Sequence, residues 1–129
     1  MNVYVQFEMT NIYAKKYNID KCVHYLTLAA NQNHLEAQYL LGLMYLDEHR
    51  DIDKAIHYLT LASNQNHMDV QFNLGIIYEN EEYGHQDIDK AIVYLTLSMN
   101  QNHSDARYNL GIIYANEKYG HQDISQAIQ

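Results

Sequence analysis

The chain is built from a sequence unit that recurs along its length. The unit is DIDKAIHYLTLASNQNH from Asp51 to His67, and it returns as DIDKAIVYLTLSMNQNH from Asp87 to His103. An earlier copy, NIDKCVHYLTLAANQNH, runs over residues 18–34, and a fourth start, DISQAIQ, begins at Asp123. The chain is therefore a tandem repeat, and we expect the repeats to share one supersecondary structure.

A second recurring piece separates the copies of the first, as AQYLLGLMY, VQFNLGIIY and ARYNLGIIY. Its glycines, Gly42, Gly75 and Gly111, stand 33 and then 36 residues apart. This period is typical of stacked supersecondary units, so we expect a solenoid. The second spacing is longer by three residues. This insertion lies in YGHQDID at positions 83–89, between the recurring pieces, where we expect a loop.

Both pieces have the apolar spacing of α-helices, and we call them helix B and helix A. The apolar stripe of helix B is formed by positions such as Ala55, Ile56, Leu59 and Ala62. The stripe of helix A is formed by Ala37, Leu41, Met44 and Tyr45 and their counterparts. The sequence therefore predicts an all-α fold of helix pairs.

Polar residues mark both ends of helix B. Each helix B is preceded by an asparagine or an aspartate, whose side-chain oxygen can accept hydrogen bonds from the free amides of the first turn. These residues are Asn18, Asp51 and Asp87. Its NQNH end carries an asparagine where a left-handed residue is needed, at Asn33, Asn66 and Asn102.

A glycine inside helix A costs about 1 kcal/mol relative to alanine. Three glycines at one register therefore predict the close approach of a neighbouring helix.

The joint pattern A-x-x-x-L-G-x-x-Y, D-x-x-K-A-I-x-Y and N-x-N-H resembles the Sel-one-like repeat, a relative of the tetratricopeptide repeat. The family usually has Gly-His at the end of helix B, where this chain has Asn-His. The resemblance implies an α-solenoid of antiparallel helix pairs in a right-handed superhelix, with an adaptor role in protein complexes. We expect one domain over residues 1–129, with a degenerate first unit at 3–34, repeats at 36–67 and 69–103, and an incomplete last repeat at 105–129.

The charge of the chain disfavours several classes of partner. The formal net charge is −8, and the eight Lys and Arg residues are scattered, so we expect neither nucleic acid nor a membrane as partner. The longest apolar run, residues 39–46, is too short to span a bilayer. The single cysteine, Cys22, occupies the slot of Ala55 and Ala91, which indicates packing. One cysteine fits a reducing compartment, and we expect a cytoplasmic location.

Histidines and carboxylates recur without forming a recognisable reactive site. His34, His67 and His103 occur once per repeat, but packed helices lie about 8–10 Å apart, too far for them to share one metal ion. We expect them to pack or to hydrogen-bond at the junctions, and the same objection applies to the loop residues His85 and His121. Pairs such as Glu81 with Glu82, or Asp51 with Asp53, fit solvated charge or capping. We therefore predict no catalytic residues, no metal, no cofactor and no enzyme.

A second stripe on helix A is the candidate binding surface. In tetratricopeptide-like solenoids this face lines the inner groove, so the resemblance implies a groove that binds a peptide or helix with apolar anchors and basic flanks. The alternative is that the aromatic residues pack between neighbouring A helices, and both can hold at once. The predicted groove residues are Phe7, Tyr39, Leu43, Phe72, Ile76, Tyr108 and Ile112, with an acidic margin of Glu36, Asp69 and Asp105. In the degenerate first repeat, residues 3–34, Thr10 stands at the position of the glycine and Asn11 at the position of Leu43.

These features favour a protein-protein interaction module. An alternative is a non-catalytic structural or regulatory arm of a larger protein, for example one with a kinase domain. An enzyme ranks third. Some cysteine-rich relatives are hydrolases, but this chain has one cysteine and so departs from their pattern.

The last helix B starts at Asp123 and stops before the residues that would cover Leu110 and Tyr114. We therefore expect either continuation beyond residue 129 or self-association through that end.

Overall fold

The computed structural model describes residue 6, residues 18–47 and residues 50–116, and all regular secondary structure in these ranges is helical. The predicted B helices are α1 (Ile19–Ala30), α3 (Ile52–Ser63) and α5 (Ile88–Met99). The predicted A helices are α2 (Leu35–Asp47), α4 (Met68–Glu79) and α6 (Ser104–Ala115). The all-α prediction is confirmed. Phe7, Thr10 and Asn11 of the predicted first helix A lie outside these residues, and so does the last helix B, from Asp123.

The chain divides into two compact units, residues 1–65 and residues 66–129. In the first unit, α2 packs against both α1 and α3. A buried cluster there joins the apolar stripes of α1 and α2 and consists of Cys22, Leu26, Ala29, Ala30, Ala37 and Leu41. In the second unit, α5 packs against both α4 and α6. A cluster there joins α5 to α6 through Leu95, Ala106, Leu110 and Ile113.

The predicted ends of the B helices are confirmed. Oδ1 of Asn18, Asp51 and Asp87 accepts a hydrogen bond of 3.1, 3.2 and 3.1 Å from the backbone amide three residues further on. The three asparagines predicted to be left-handed are so, with φ of 64° at Asn33, 60° at Asn66 and 70° at Asn102. Local sequence therefore determines where each helix B begins and where the turn after it reverses the chain.

The glycines at one register of helix A leave room for a leucine of helix B. A Cβ added at Gly42 would lie 2.7 Å from both Cγ and Cδ2 of Leu59. At Gly75 it would lie 2.6 Å from Cγ of Leu95. Both distances are far inside van der Waals contact, so the predicted close approach is confirmed at these two positions.

The predicted loop and the predicted packing of the cysteine are also observed. A 3-10 turn at Glu81–Tyr83 follows α4, and Gly84 then takes a left-handed φ of 77° before α5 starts. Cys22 is buried, and its Sγ lies 3.9 Å from Sδ of Met44. Burial raises the pKa of the Cys22 thiol, which keeps it protonated and unreactive.

Candidate partner-binding site

The predicted stripe is most exposed on α6, in the second unit. Tyr108 is 68% exposed and Ile112 is 49% exposed. Their counterparts on α4, Phe72 and Ile76, are half-buried, and so are Tyr39 and Leu43 on α2. Phe7 lies outside the described residues. The stripe is therefore not uniformly open, and its accessible apolar surface in the second unit is concentrated at one pair of residues.

An open depression of about 290 Å³ lies at this exposed pair. Its lining includes Tyr108, Asn109 and Ile112 of α6 and Glu79, the last residue of α4. The three α6 residues share one side of the helix because positions three and four apart are neighbours on a helical surface. The depression thus combines an aromatic ring, an amide, an aliphatic side chain and a carboxylate.

A second open depression, of about 280 Å³, shares Glu79 with the first. Its lining also includes Asn80, Glu81 and Glu82. Oδ1 of Asn80 accepts a 2.9 Å hydrogen bond from the backbone amide of Glu82, which holds the start of the 3-10 turn. Three carboxylates therefore lie at the end of α4, and two of them, Glu81 and Glu82, are the pair for which the sequence indicated solvated charge or capping.

The acidic margin predicted at the start of the A helices is exposed at Glu36, Asp69 and Asp105. In the second unit, however, His103 occupies part of this region. Its Nε2 lies 3.5 Å from Oδ1 of Asp69, and its ring stacks on Phe72 with centroids 4.4 Å apart. One face of Phe72 is therefore covered by a histidine of the same unit.

The histidine of each NQNH motif caps the A helix that follows it. Nδ1 of His34, His67 and His103 accepts a hydrogen bond of 3.1, 3.2 and 3.1 Å from the backbone amide three residues further on. This is the junction hydrogen bond that the sequence predicts. Within the described ranges no three His, Cys, Asp or Glu residues are grouped closely enough to hold a metal ion.

A network of side-chain amides escaped the sequence reasoning. In the second unit, Nε2 of Gln101 donates to Oε1 of Gln71 at 2.7 Å, and Nε2 of Gln71 donates to Oδ1 of Asn66 at 3.1 Å. In the first unit, Gln65 donates in the same way to Gln38 at 2.9 Å. The sequence feature that could have indicated this network is a glutamine four residues before the glycine in two of the A helices. In α6 the equivalent position is Arg107.

Comparison with known proteins identifies the repeat. The family model described as Sel1 repeat matches residues 12–34, 35–67, 69–103 and 104–129. No curated protein matches the chain significantly. No helix within the described ranges is long and apolar enough to cross a membrane.

Solved structures with the same fold include the following two. One is a protective antigen present in uropathogenic Escherichia coli strains and displaying an SLR fold, with a TM-score of 0.82 and 22% identity over 98% of this chain. The other is a Sel1 repeat protein from Oxalobacter formigenes, with a TM-score of 0.75 and 20% identity over 98% of this chain. This chain spans 29% and 55% of their lengths. The repeat units and the shared fold together show that the chain belongs to the Sel1 repeat family.

Proposed function

We propose that this chain is a protein-interaction module that binds a peptide or a helix on the exposed face of its A helices. Sel1 repeat proteins are generally protein-interaction or scaffold modules and are generally non-catalytic. The observation that carries the proposal is the exposure of Tyr108 and Ile112 beside an open depression. Exposed apolar side chains with a polar rim mark interaction sites, and tyrosine is enriched among the residues that dominate binding energy.

The charge around this surface specifies the kind of partner. Asp69 and Asp105 are exposed in the first turns of α4 and α6, and three glutamates lie at the other end of α4. In a chain of net charge −8, a partner with basic flanks is attracted, whereas the phosphates of a nucleic acid are repelled. A partner with apolar anchors and Lys or Arg flanks therefore fits this face, and we propose no catalytic role.

The test uses a matched pair of double variants. A displayed peptide library is selected on the full chain, and the binding of selected peptides is measured by fluorescence anisotropy. We expect Tyr108→Ala with Ile112→Ala to weaken binding about tenfold or more, since aromatic anchors dominate interface energy. The control is Val93→Ala with Leu97→Ala on α5, which removes an apolar pair of similar exposure, and it should change affinity little.

A broader comparison asks which recurring residues contribute to binding. Replacing Tyr39, Phe72 and Tyr108 together should weaken binding more than replacing the three capping histidines, provided that circular dichroism shows both variants folded. If the α6 double variant binds selected peptides as tightly as the natural chain, the A-helix face is not the binding site and the proposal fails.

A further inference from the structure

We propose that the start of α6 binds a partner segment in which an acidic residue precedes a histidine by two positions. This inference rests on the proposed function and deepens it, because it names two residue types of the partner and their places on the surface. The residues that receive them are Asp105, Arg107 and Tyr108, which we call the α6 edge. All three are exposed, and within the described part of the chain no hydrogen bond, ion pair or ring contact engages their side chains.

The helix α4 carries an equivalent set of residues at the same three positions. Asp69, Gln71 and Phe72 each stand 36 residues before their counterparts in the α6 edge. Both helices have twelve residues and both are capped by a histidine, so equivalent residues lie on the same side of each helix. The contacts made on α4 therefore show how a segment is held by such a set of residues.

On α4 these positions are occupied by the turn that follows α5. The ring of His103 stacks on Phe72 with centroids 4.4 Å apart and planes 19° apart, and its Nε2 lies 3.5 Å from Oδ1 of Asp69. Two residues earlier in the turn, Nε2 of Gln101 donates a 2.7 Å hydrogen bond to Oε1 of Gln71. A glutamine and a histidine two positions apart thus engage all three residues.

The α6 edge retains the residue types that receive the histidine. Tyr108 offers an aromatic ring in place of Phe72, and Asp105 offers a carboxylate in place of Asp69. Planar rings stack in an offset way, and a carboxylate accepts a hydrogen bond from an imidazole N–H. A histidine of a partner therefore fits the α6 edge as His103 fits α4.

Arg107 changes what the second partner residue must be. Gln71 accepts from Gln101 through its side-chain oxygen, whereas an arginine side chain has only donors. The partner residue opposite Arg107 must therefore supply an acceptor, and a carboxylate does so with two charge-assisted hydrogen bonds. This selects Asp or Glu two residues before the histidine. The α6 edge thus fits a separate partner better than another copy of the NQNH turn.

The test uses helix-stapled peptides that reproduce residues 91–106, because this range includes the turn and part of both helices beside it. One peptide has the natural sequence, one carries Gln101→Glu, and one carries Gln101→Glu with His103→Ala. Each is titrated into the full chain, with the affinity measured by fluorescence anisotropy and the site located by NMR shifts. We expect the Gln101→Glu peptide to bind at the α6 edge about fivefold more tightly than the natural peptide, and the loss of its histidine to weaken it about fivefold.

Matched variants of the chain locate each contact. Arg107→Gln gives α6 the glutamine of α4 and should abolish the preference for the Gln101→Glu peptide, and Arg107→Glu should shift the preference to a Gln101→Arg peptide. Tyr108→Phe keeps the ring and should retain binding, whereas Tyr108→Leu should weaken it about fivefold. The control Lys21→Gln on α1 removes the same charge as Arg107→Gln and should leave the preference unchanged.

Three results would overturn the inference. If the natural peptide binds as tightly as the Gln101→Glu peptide, the α6 edge accepts another repeat turn and does not select an acidic residue. If Arg107→Gln leaves the preference intact, Arg107 does not receive that residue. If the NMR shifts lie away from the α6 edge, the segment binds elsewhere.

Failure of the inference and failure of the proposed function give different results. If selected peptides depend on Tyr108 and Ile112 but lack the acidic residue and the histidine, the inference is wrong and the interaction proposal stands. If the Gln101→Glu peptide binds at the α6 edge but no selected peptide depends on those two residues, the inference is supported and the interaction proposal fails.

Discussion

Nε2 of Gln101 donates a 2.7 Å hydrogen bond to Oε1 of Gln71, although 30 residues separate them in sequence. Gln101 follows helix B, and Gln71 lies in helix A, where the residue is only 2% exposed. Nε2 of Gln101 and Nε2 of Gln71 both also donate to Oδ1 of Asn66, at 3.3 and 3.1 Å. One left-handed asparagine and two glutamines therefore tie the end of a B helix to the A helix of the same unit.

We expect the near-isosteric variant Gln71→Met to destabilise the chain by about 1–3 kcal/mol, because it removes the acceptor for Gln101 and a donor to Asn66 in a buried place. The free energy of unfolding is measured by urea denaturation. The control is Gln86→Met, since the exposed Gln86 bonds a carbonyl at the surface and should change stability by about 0.5 kcal/mol or less. Equal losses in the two variants would show that burial of the amide is irrelevant.

Asn66 combines a left-handed backbone with a side-chain oxygen that accepts two hydrogen bonds. Glycine satisfies a φ of 60° but has no side-chain oxygen for the two glutamines, whereas alanine lacks both properties. We therefore expect the natural chain to be the most stable, Asn66→Gly to be less stable and Asn66→Ala to be the least stable. The left-handed backbone should lower the free energy of unfolding of the alanine variant by about 1–2 kcal/mol. Thermal unfolding gives the order directly. If Asn66→Gly equals or exceeds the natural chain, the amide network contributes nothing.

The sequence predicted what depends on local order along the chain. The period of the apolar residues, the capping positions and the left-handed asparagines follow from spacing within one repeat, and all are observed. The stacking of His103 on Phe72 and the bonding of Gln101 to Gln71 depend on which side chains meet across helices, and periodicity carries no such information. For the same reason, the exposure of Tyr108 compared with Phe72 was not predictable from their equivalent positions.

Gly75 tests the close approach of helices A and B in the second unit. Gly75→Leu should destabilise the chain by about 1–3 kcal/mol, because even its Cβ would overlap Leu95 of α5. The double variant with Leu95→Ala opens space at the same contact, so its loss should be smaller than the sum of the two single losses. Urea denaturation measures all three variants. Additive losses would mean that the introduced side chain escapes to solvent and that the two positions do not share one space.

Alkaline pH should weaken the fold through the ionisation of Tyr78. Its ring stacks on Tyr94 with centroids 5.9 Å apart, and Asp87 is also close. Burial raises the pKa of the Tyr78 hydroxyl, and its interactions with Tyr94 and Asp87 raise that pKa further. Burial and Tyr45 raise the pKa of Tyr58 in the first unit in the same way.

The folded chain thus holds these protons to higher pH than the unfolded chain, whose tyrosines ionise near pH 10 or so. The stabilisation is fully present below that pH and is lost as pH rises through the folded pKa. We expect the double variant Tyr58→Phe with Tyr78→Phe, which cannot ionise at these positions, to lose less stability between pH 8 and pH 11 or so than the natural chain. Urea denaturation at each pH gives both curves, and the difference at pH 8 controls for the lost hydroxyls. Parallel curves would show that these tyrosines do not cause the alkaline loss.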